Sequence, residues 1–449
     1  MAITIVTTPD SHVSARRPVV FTATSNRYDA TVNEKTITSV VNAGGKARFN
    51  FAGATTFIAG DIVTGTTFTE TSYNIRMTVT DTAAGYVTTD VDYVSDDTGT
   101  FTRTNDNFRL KSIVTINAVE FASKVTFPDS VGTFTIDIQN IILGSMTSQD
   151  RGGFVTGIAT GLTNTVKSFS VNIYEYYSDV DGLLIEKNTI ASSTYQAVNG
   201  AWQHIETDMA DYVVGTDVKK FLTDIPSMND SSVKVKLKTF EIYNLSFILR
   251  ETMSVKYAYQ RFLNGASISS HVSGTYVLTS IFNILTFSNL FGTGDRIDIW
   301  LTTTGGTQLT EKVTFMRDYS SCETEKRVKW RNRRGGYDSY TFIDFEESIS
   351  ADKEKYKRDL GYSFAISDRG TKVISSESAI DGEMITEYVS SDVQNWLQEL
   401  INSEDVYFIQ TIDSSLTEVP IDVLTKEHPV ISQEFQQFQI KYQYANEIL

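Results

Sequence analysis

Apolar residues recur at every second position in short runs along this chain, and that periodicity constrains the fold more than any other feature. Tyr73-Asn74-Ile75-Arg76-Met77-Thr78-Val79 alternates strictly, as do Phe134-Thr135-Ile136-Asp137-Ile138 and Ser168-Phe169-Ser170-Val171-Asn172-Ile173-Tyr174. Successive side chains of a strand point to opposite faces, so each such run predicts a half-buried strand. Gly, Asn and Asp punctuate the runs. Asp181-Gly182 and Asn199-Gly200 suit tight hairpin turns, and Phe57 to Val63 runs through a turn at Gly60-Asp61. Proline is scarce, at 6 residues. The expected fold is mainly β, with antiparallel strands.

A chain of 449 residues is too long for one core and predicts several domains. Hydrophobic residues make up 41% of it, enough for packed interiors. Residues 1–108 read as an N-terminal β domain, a small sandwich or barrel. Residues 109–250 read as a β-sandwich domain, with Val233-Lys234-Val235-Lys236-Leu237 as one strand. Residues 251–318 are a further β domain or an extension of the second. The expected architecture is therefore several β-sandwich, Ig-like or barrel domains in series. Residues 319–449 differ. Here the charge density rises and Val393, Trp396, Leu397, Leu400 and Ile401 mark one face of a helix that Ser391 or Asp392 can cap. Strands follow at Val406 to Ile409, Glu418 to Val423 and Phe438 to Tyr444, so this segment is expected to be a small α+β C-terminal domain. Its last strand is expected to be tied into a sheet or a neighbouring subunit.

Composition narrows the chemistry. The formal net charge of -16 repels phosphate backbones, so nucleic acid is not expected as a partner beyond incidental contact in a lumen. The single cysteine, Cys322, excludes an internal disulfide framework. His12, His204, His271 and His428 stand in no metal-ligand or triad-like spacing. No run reaches the roughly 20 apolar residues a membrane helix needs. Met1-Ala2-Ile3-Thr4-Ile5 lacks the basic segment and apolar core of a secretion signal, and synthesis and assembly in a cytoplasm are expected.

Candidate chemistry is sparse. Glu346-Glu347 and Asp90/Asp92 form carboxylate pairs, but with 55 acidic residues such pairs arise by chance. Asp90, Asp92, Asp96 and Asp97, or Asp179-Val180-Asp181-Gly182, hint at a calcium loop without the Gly and terminal Glu of its spacing. Tyr174-Glu175-Tyr176-Tyr177 is a candidate sugar platform, although alternating aromatics in β proteins mostly fill cores. No cofactor, metal or catalytic set is expected, and the chain is not read as an enzyme.

The sharpest charge feature is Lys326-Arg327-Val328-Lys329-Trp330-Arg331-Asn332-Arg333-Arg334. It could be a nucleic-acid patch with Trp330 as a stacking platform. It could be a docking strip for an acidic copy of the same or a neighbouring protein, or simply an exposed strand and turn. The acidic remainder favours docking, through Lys326, Arg327, Lys329, Arg331, Arg333 and Arg334. Around it, Trp330, Asn332, Gly335, Gly336, Tyr337, Asp338 and Phe342 read as a folding device. Gly335-Gly336 would make a turn of positive φ, and Asp338 would bond local amides.

The run from Val328 to Phe342 resembles a segment of virion proteins from tailed phages that infect Bacteroidetes, crAss-like phages included. Those proteins carry Trp-x-Asn-Arg-x-Gly-Gly-(Tyr/Phe)-Asp-x-(Tyr/Phe)-Thr-Phe, followed by a helix and strands in the order seen here. The residue after the Trp, usually aliphatic there, is Arg331 in this chain. The resemblance covers about residues 319–449, with a fainter echo at Phe221-Leu222-Thr223-Asp224-Ile225-Pro226. It implies a tail, neck-ring or baseplate component of the virion, assembled in the host cytoplasm. On that reading the partners are further copies in a homo-oligomeric ring and neighbouring tail or connector proteins. The alternative is a receptor- or carbohydrate-binding tail or baseplate protein.

Overall fold

In the computed structural model most of the alternating runs form strands, with few short helices between them, although the Tyr73 to Val79 run becomes a strand only from Arg76, because Thr71–Tyr73 is a 3-10 turn. The structure describes residues 3–25, 34–55, 57–103, 108–129, 132–146, 150–178, 184–200, 209–279, 281–320, 325–357, 365, 371–412, 415–426 and 435–445. Cys322, His204, His428 and the Asp179 to Gly182 stretch lie outside them. Among the described residues no helix is long and apolar enough to cross a membrane.

The chain divides into two units, and neither is a continuous segment. One comprises Met1–Thr147 with Lys167–Ala197, the other Ser148–Val166 with Val198–Leu449. This corrects the four-segment division expected from sequence. Val20–Ser25 pairs with Thr133–Asp137, which ties residues before 108 to residues after it. Gly157–Leu162 pairs with Phe282–Phe287, as does Tyr243–Leu249, so no boundary falls at 250. A single cluster of buried side chains runs from Tyr243 and Phe315 to Trp330, Trp396 and Tyr442, which removes the boundary at 318. Strand alternation reports which face of a strand is buried but not which distant strand lies beside it, so these pairings were invisible in the sequence.

The first unit holds a closed barrel and a sandwich. The barrel runs in the order Glu34–Ala43, Lys46–Phe51, Tyr86–Asp92, Arg76–Ala83, Ile62–Thr66, Gly99–Arg103. Closure leaves no free edge and surrounds an aromatic core, in which Phe49 meets Phe68, Tyr73 and Phe101. The sandwich faces a three-stranded sheet (Ile3–Thr7, Val20–Ser25, Thr133–Asp137) with a six-stranded one built around Arg109–Ile116 and Val166–Ser178. Phe21, Phe134, Leu110, Val114, Val171 and Ile173 fill the space between them.

At the turn expected at Gly60-Asp61, Gly60 has φ 86°. The Asp61 carboxylate points inward. It lies 3.3 Å from Arg103 and accepts bonds from the Tyr177 hydroxyl at 3.0 Å and the Ile58 amide at 2.9 Å. Among the described residues Asn199-Gly200 closes no hairpin. Asn199 instead donates its amide to the Thr165 carbonyl within the second unit.

The second unit carries three sheets. One contains Gly157–Leu162, Phe282–Phe287, Tyr243–Leu249 and Val213–Val214. Another runs from Lys236–Leu237 through Val313–Arg317, Arg296–Thr303 and Met253–Leu263 to Ala266–Val272, with Tyr276–Leu278 beside Met253–Leu263. Only Lys236–Leu237 of the expected 233–237 strand is a strand, pairing in parallel with Val313–Arg317.

The third is a seven-stranded sheet in the order Tyr337–Phe342, Lys326–Arg331, Val406–Ile412, Ser415–Val423, Phe435–Tyr444, Thr371–Ser390, Asp344–Lys357. The expected helix is Ser391–Leu397 with a further 3-10 turn, Gln398–Leu400. Its N-cap is Ser390, not Ser391 or Asp392, and no side chain caps it. It buries Val393, Trp396 and Leu397, followed by Leu400, while Ile401 is only partly buried.

The Asp61–Arg103 pair yields a prediction for the first unit. Asp61→Ala leaves a guanidinium buried without its counter-charge, which costs about 3–5 kcal/mol. Denaturant titration should show that loss, and a change under about 1 kcal/mol would mean that water already reaches the pair.

Candidate functional site

The strand Lys326–Arg331 lies inside the seven-stranded sheet, between Tyr337–Phe342 and Val406–Ile412. A strand inside a sheet is hydrogen-bonded along both edges, and this one is buried on both faces as well. On one face Val328 and Trp330 enter the core, both fully buried, and the rings of Trp330 and Trp396 lie 5.1 Å apart. On the other stand Arg327, Lys329 and Arg331. All three are buried, so the solvent-facing docking strip expected from sequence is corrected. Burying a cation costs several kcal/mol unless it gains compensating partners, and here every cation has them.

Arg327 donates to the Ile242 carbonyl at 2.8 and 3.1 Å, to Thr341 and Ser339, and pairs with Glu241 at 3.2 Å. Lys329, with 1% of its side chain exposed, donates to Glu418 at 2.7 Å and to the Arg151 carbonyl at 2.5 Å. Burial pushes the Lys329 ammonium pKa down, opposed by Glu418. Arg331 bonds the Asn199 side-chain oxygen at 2.8 Å and lies 3.4 Å from both Glu404 and Asp405.

Lys326 pairs with Glu347, and its ammonium is surrounded by the rings of Phe345, Phe408, Tyr444 and Tyr442 at 4.4, 4.7, 5.3 and 5.7 Å. A cation among ring faces is held by their quadrupoles. This chain thus encloses its own lysine in an aromatic cage.

The turn after the strand is built by Asn332. Its side-chain oxygen accepts the amides of Arg334 and Gly336, each at 3.0 Å, while its nitrogen donates to the Leu222 carbonyl at 2.8 Å. The two glycines serve different needs. Gly335 has φ 87°, as expected of the turn. Gly336 does not. It is required instead by close approach, because a Cβ there would stand 2.5 Å from the Leu222 carbonyl and 2.9 Å from the Ser246 Cβ.

Arg333 and Arg334 converge on Asp224, at 2.5 and 3.0 Å. Burial pushes the Asp224 carboxyl up, but Arg334 and then Arg333 overcome it and hold it below its ordinary range. Glu399 lies 3.2 Å from Arg333, yet burial and the Asp224 charge push it well above its ordinary range.

Asp338 corrects a further expectation. It bonds distant side chains, not local amides. Its fully buried carboxylate accepts from the Trp396 indole at 2.8 Å and Thr223 at 2.9 Å, with the Tyr243 hydroxyl at 3.4 Å. Burial pushes its pKa up to about 6, against the hydrogen bonds that favour the charged form. Tyr337 and Phe342 are buried in the same sheet. The Trp330 indole N–H has no hydrogen-bond partner.

The remaining candidates are local. Glu347 pairs with Lys326, while Glu346 is exposed. Asp92 pairs with Lys46, Asp90 accepts the Thr78 amide, and Asp96 and Asp97 accept the amides of Val40 and Glu70. Among the described residues no group of three or more potential ligands is placed to hold a metal ion. Tyr177 is buried against Phe108, while Tyr174 and Tyr176 stand half-buried on the outer sheet face. His12 and His271 are far apart in sequence, and the His271 ring packs 5.0 Å from Tyr259.

The 326–334 run is thus an ionic and aromatic framework, and its partners lie up to 178 residues away in sequence. Comparison with models of known protein families gave no match, and comparison with curated proteins gave none.

Two measurements test this framework. Gly336→Ala should destabilise the second unit by about 1–3 kcal/mol through overpacking, read from its denaturation midpoint. Asp338 should impose a pH dependence. Its folded pKa lies above the ordinary value, so its cost is absent below pH 3.8 and complete above about pH 6. Across that window wild-type stability, measured relative to Asp338→Asn, should fall by on the order of 3 kcal/mol. A difference independent of pH would show that the carboxylate ionises in the fold without penalty.

Proposed function

We propose that this chain is a structural subunit of a phage virion, a tail or head–tail connector ring component that acts by oligomeric assembly and not by catalysis. One observation carries the reading. Val119–Thr126 is the edge strand of the six-stranded sheet in the first unit. Its alternate residues Val119, Phe121 and Val125, continued by Phe127, are 67%, 51%, 45% and 63% exposed. Scattered exposed apolar residues are ordinary, but several along one open edge strand, with only Ser123 at the alternate position between Phe121 and Val125, offer both ladder hydrogen bonds and apolar area to another chain.

The phage assignment rests on the resemblance of the Val328 to Phe342 run. The correction of the basic strip changes the assembly account. Reversing Arg331, Arg333 and Arg334 to Glu would unfold the region that those residues hold together, so ring contacts must come from other surfaces. A closed ring needs two different faces per subunit.

A receptor- or carbohydrate-binding tail protein is the second reading. Tyr174 and Tyr176 favour it, standing beside Lys111 and Arg109 on the outer face of the same sheet. Binding on a glycan array that is lost in Tyr174→Ala would select it.

Phe121→Asp with Phe127→Asp should leave the melting curve near wild type, since both side chains are exposed, but reduce incorporation into particles. Protein counts in purified virions should give a small fixed copy number. A variant that assembles normally, or a chain missing from virions, contradicts the proposal.

A further inference from the structure

The strands Asp344–Lys357 and Thr371–Ser390 form a hairpin that outruns its sheet. The neighbouring strand Phe435–Tyr444 pairs with Asp381–Ser390 only. Beyond Asp381, Thr371 to Ile380 has no strand partner but Ile349 to Lys357, among the described residues. Nine residues of one strand and ten of the other project in this way, about 30 Å of ribbon. A two-stranded ribbon alone is marginally stable in water.

The outer end of this arm, 353–357 with 371–375, carries Lys353, Lys355, Lys357 and Lys372 against one carboxylate, Glu354. All four lysines are exposed. Nearer the sheet Ile349 is 77% exposed, and Ile374 at the outer end is 61% exposed. The contrast with the 326–334 run is informative. That run holds the densest positive charge of the sequence, yet its cations are neutralised within the unit, whereas the arm's lysines face solvent on a chain whose net charge is -16.

We infer that this arm is the element with which one subunit grips a second copy of the same chain, its lysines set against the acidic surface of the neighbour and Ile349 and Ile374 covered in the contact. The inference rests on the subunit reading above. Charge complementarity selects the occupant, because any copy presents the opposite sign to the arm. The ribbon's free edges add backbone donors and acceptors for strand pairing. Exposed charge pairs contribute fractions of a kcal/mol each, so the lysines set register and encounter rate while the isoleucines supply buried area. The contact joins an arm to a body, two different surfaces, and so can propagate around a ring.

Sedimentation velocity of the full-length chain over a range of salt concentrations tests this. Wild type should self-associate, more weakly as salt rises. The variant Lys353→Glu/Lys355→Glu/Lys357→Glu/Lys372→Glu should associate at least about tenfold more weakly, with an unchanged melting curve. Ile349→Asp/Ile374→Asp should weaken association without removing its salt dependence. If the lysine variant associates as wild type does while Phe121→Asp/Phe127→Asp does not, the arm has no such role and the subunit reading stands. If wild type stays monomeric and absent from virions, both fall. If a duplex DNA probe binds wild type but not the lysine variant, and self-association is equal in the two, the arm's partner is a phosphate backbone and the inference is overturned.

Discussion

The second unit depends on the neutralisation of a cationic strand inside a sheet. Arg327, Lys329 and Arg331 occupy one face of a strand buried on both sides, and Arg333 and Arg334 follow in the turn. All but Arg333 are shut off from bulk water, so the fold must supply acceptors for them. It draws them from Glu241, Glu418, Asp405, Asn199 and Asp224, residues in five separate stretches of chain. Buried ion pairs add little net stability over apolar packing, but each is intolerant of a missing partner. In this unit they act as constraints on arrangement. Several remote segments must be in place together before the strand can be buried.

The carboxylates around the turn share that dependence unequally. Asp224 faces two guanidinium groups, which hold its pKa below the ordinary range, whereas burial and the Asp224 charge raise that of Glu399 beside it. Asp338, held by an indole, a hydroxyl and no cation, sits between these cases. Three acids within one region thus have different pKa shifts, decided by the balance of burial, neighbouring carboxylates and the number of guanidinium groups each one faces. The aromatic residues complete the same scheme from the apolar side, with Trp330 and Trp396 packed above Asp338 and four rings around Lys326.

The mainly β fold and most of the strands were legible in the sequence because alternation is a local property. The 391–401 helix was legible for the same reason, its apolar face marked by Val393, Trp396, Leu397 and Leu400. The turn at Gly335-Gly336 was legible in place but only half in cause, since Gly336 answers to the Leu222 carbonyl, 114 residues earlier, and not to its own dihedral. The basic strip was misread as exposed because charge density ordinarily marks a solvated face. The acids that neutralise it are ordinary members of a crowd of 55. The domain boundaries failed for a related reason. The pairing of Val20–Ser25 with Thr133–Asp137, or of Gly157–Leu162 with Phe282–Phe287, leaves no local trace.

The interleaved course of the chain bears on its biosynthesis. Residues 148–166 belong to the second unit but are followed by 167–197 of the first. On the ribosome, therefore, the first unit cannot close until its last strand has emerged past the residues of the other. Gly157–Leu162 must then wait through a further 120 residues for its partner strand, Phe282–Phe287. Lys329 waits in its turn through 89 residues for Glu418. A nascent chain of this kind carries unpaired strand edges over long stretches of its synthesis and, later, a lysine still without its carboxylate, the condition in which elongating chains misassociate. Its yield in a cell should thus be set more by translation speed and by early protection of these segments than by the stability of the finished molecule.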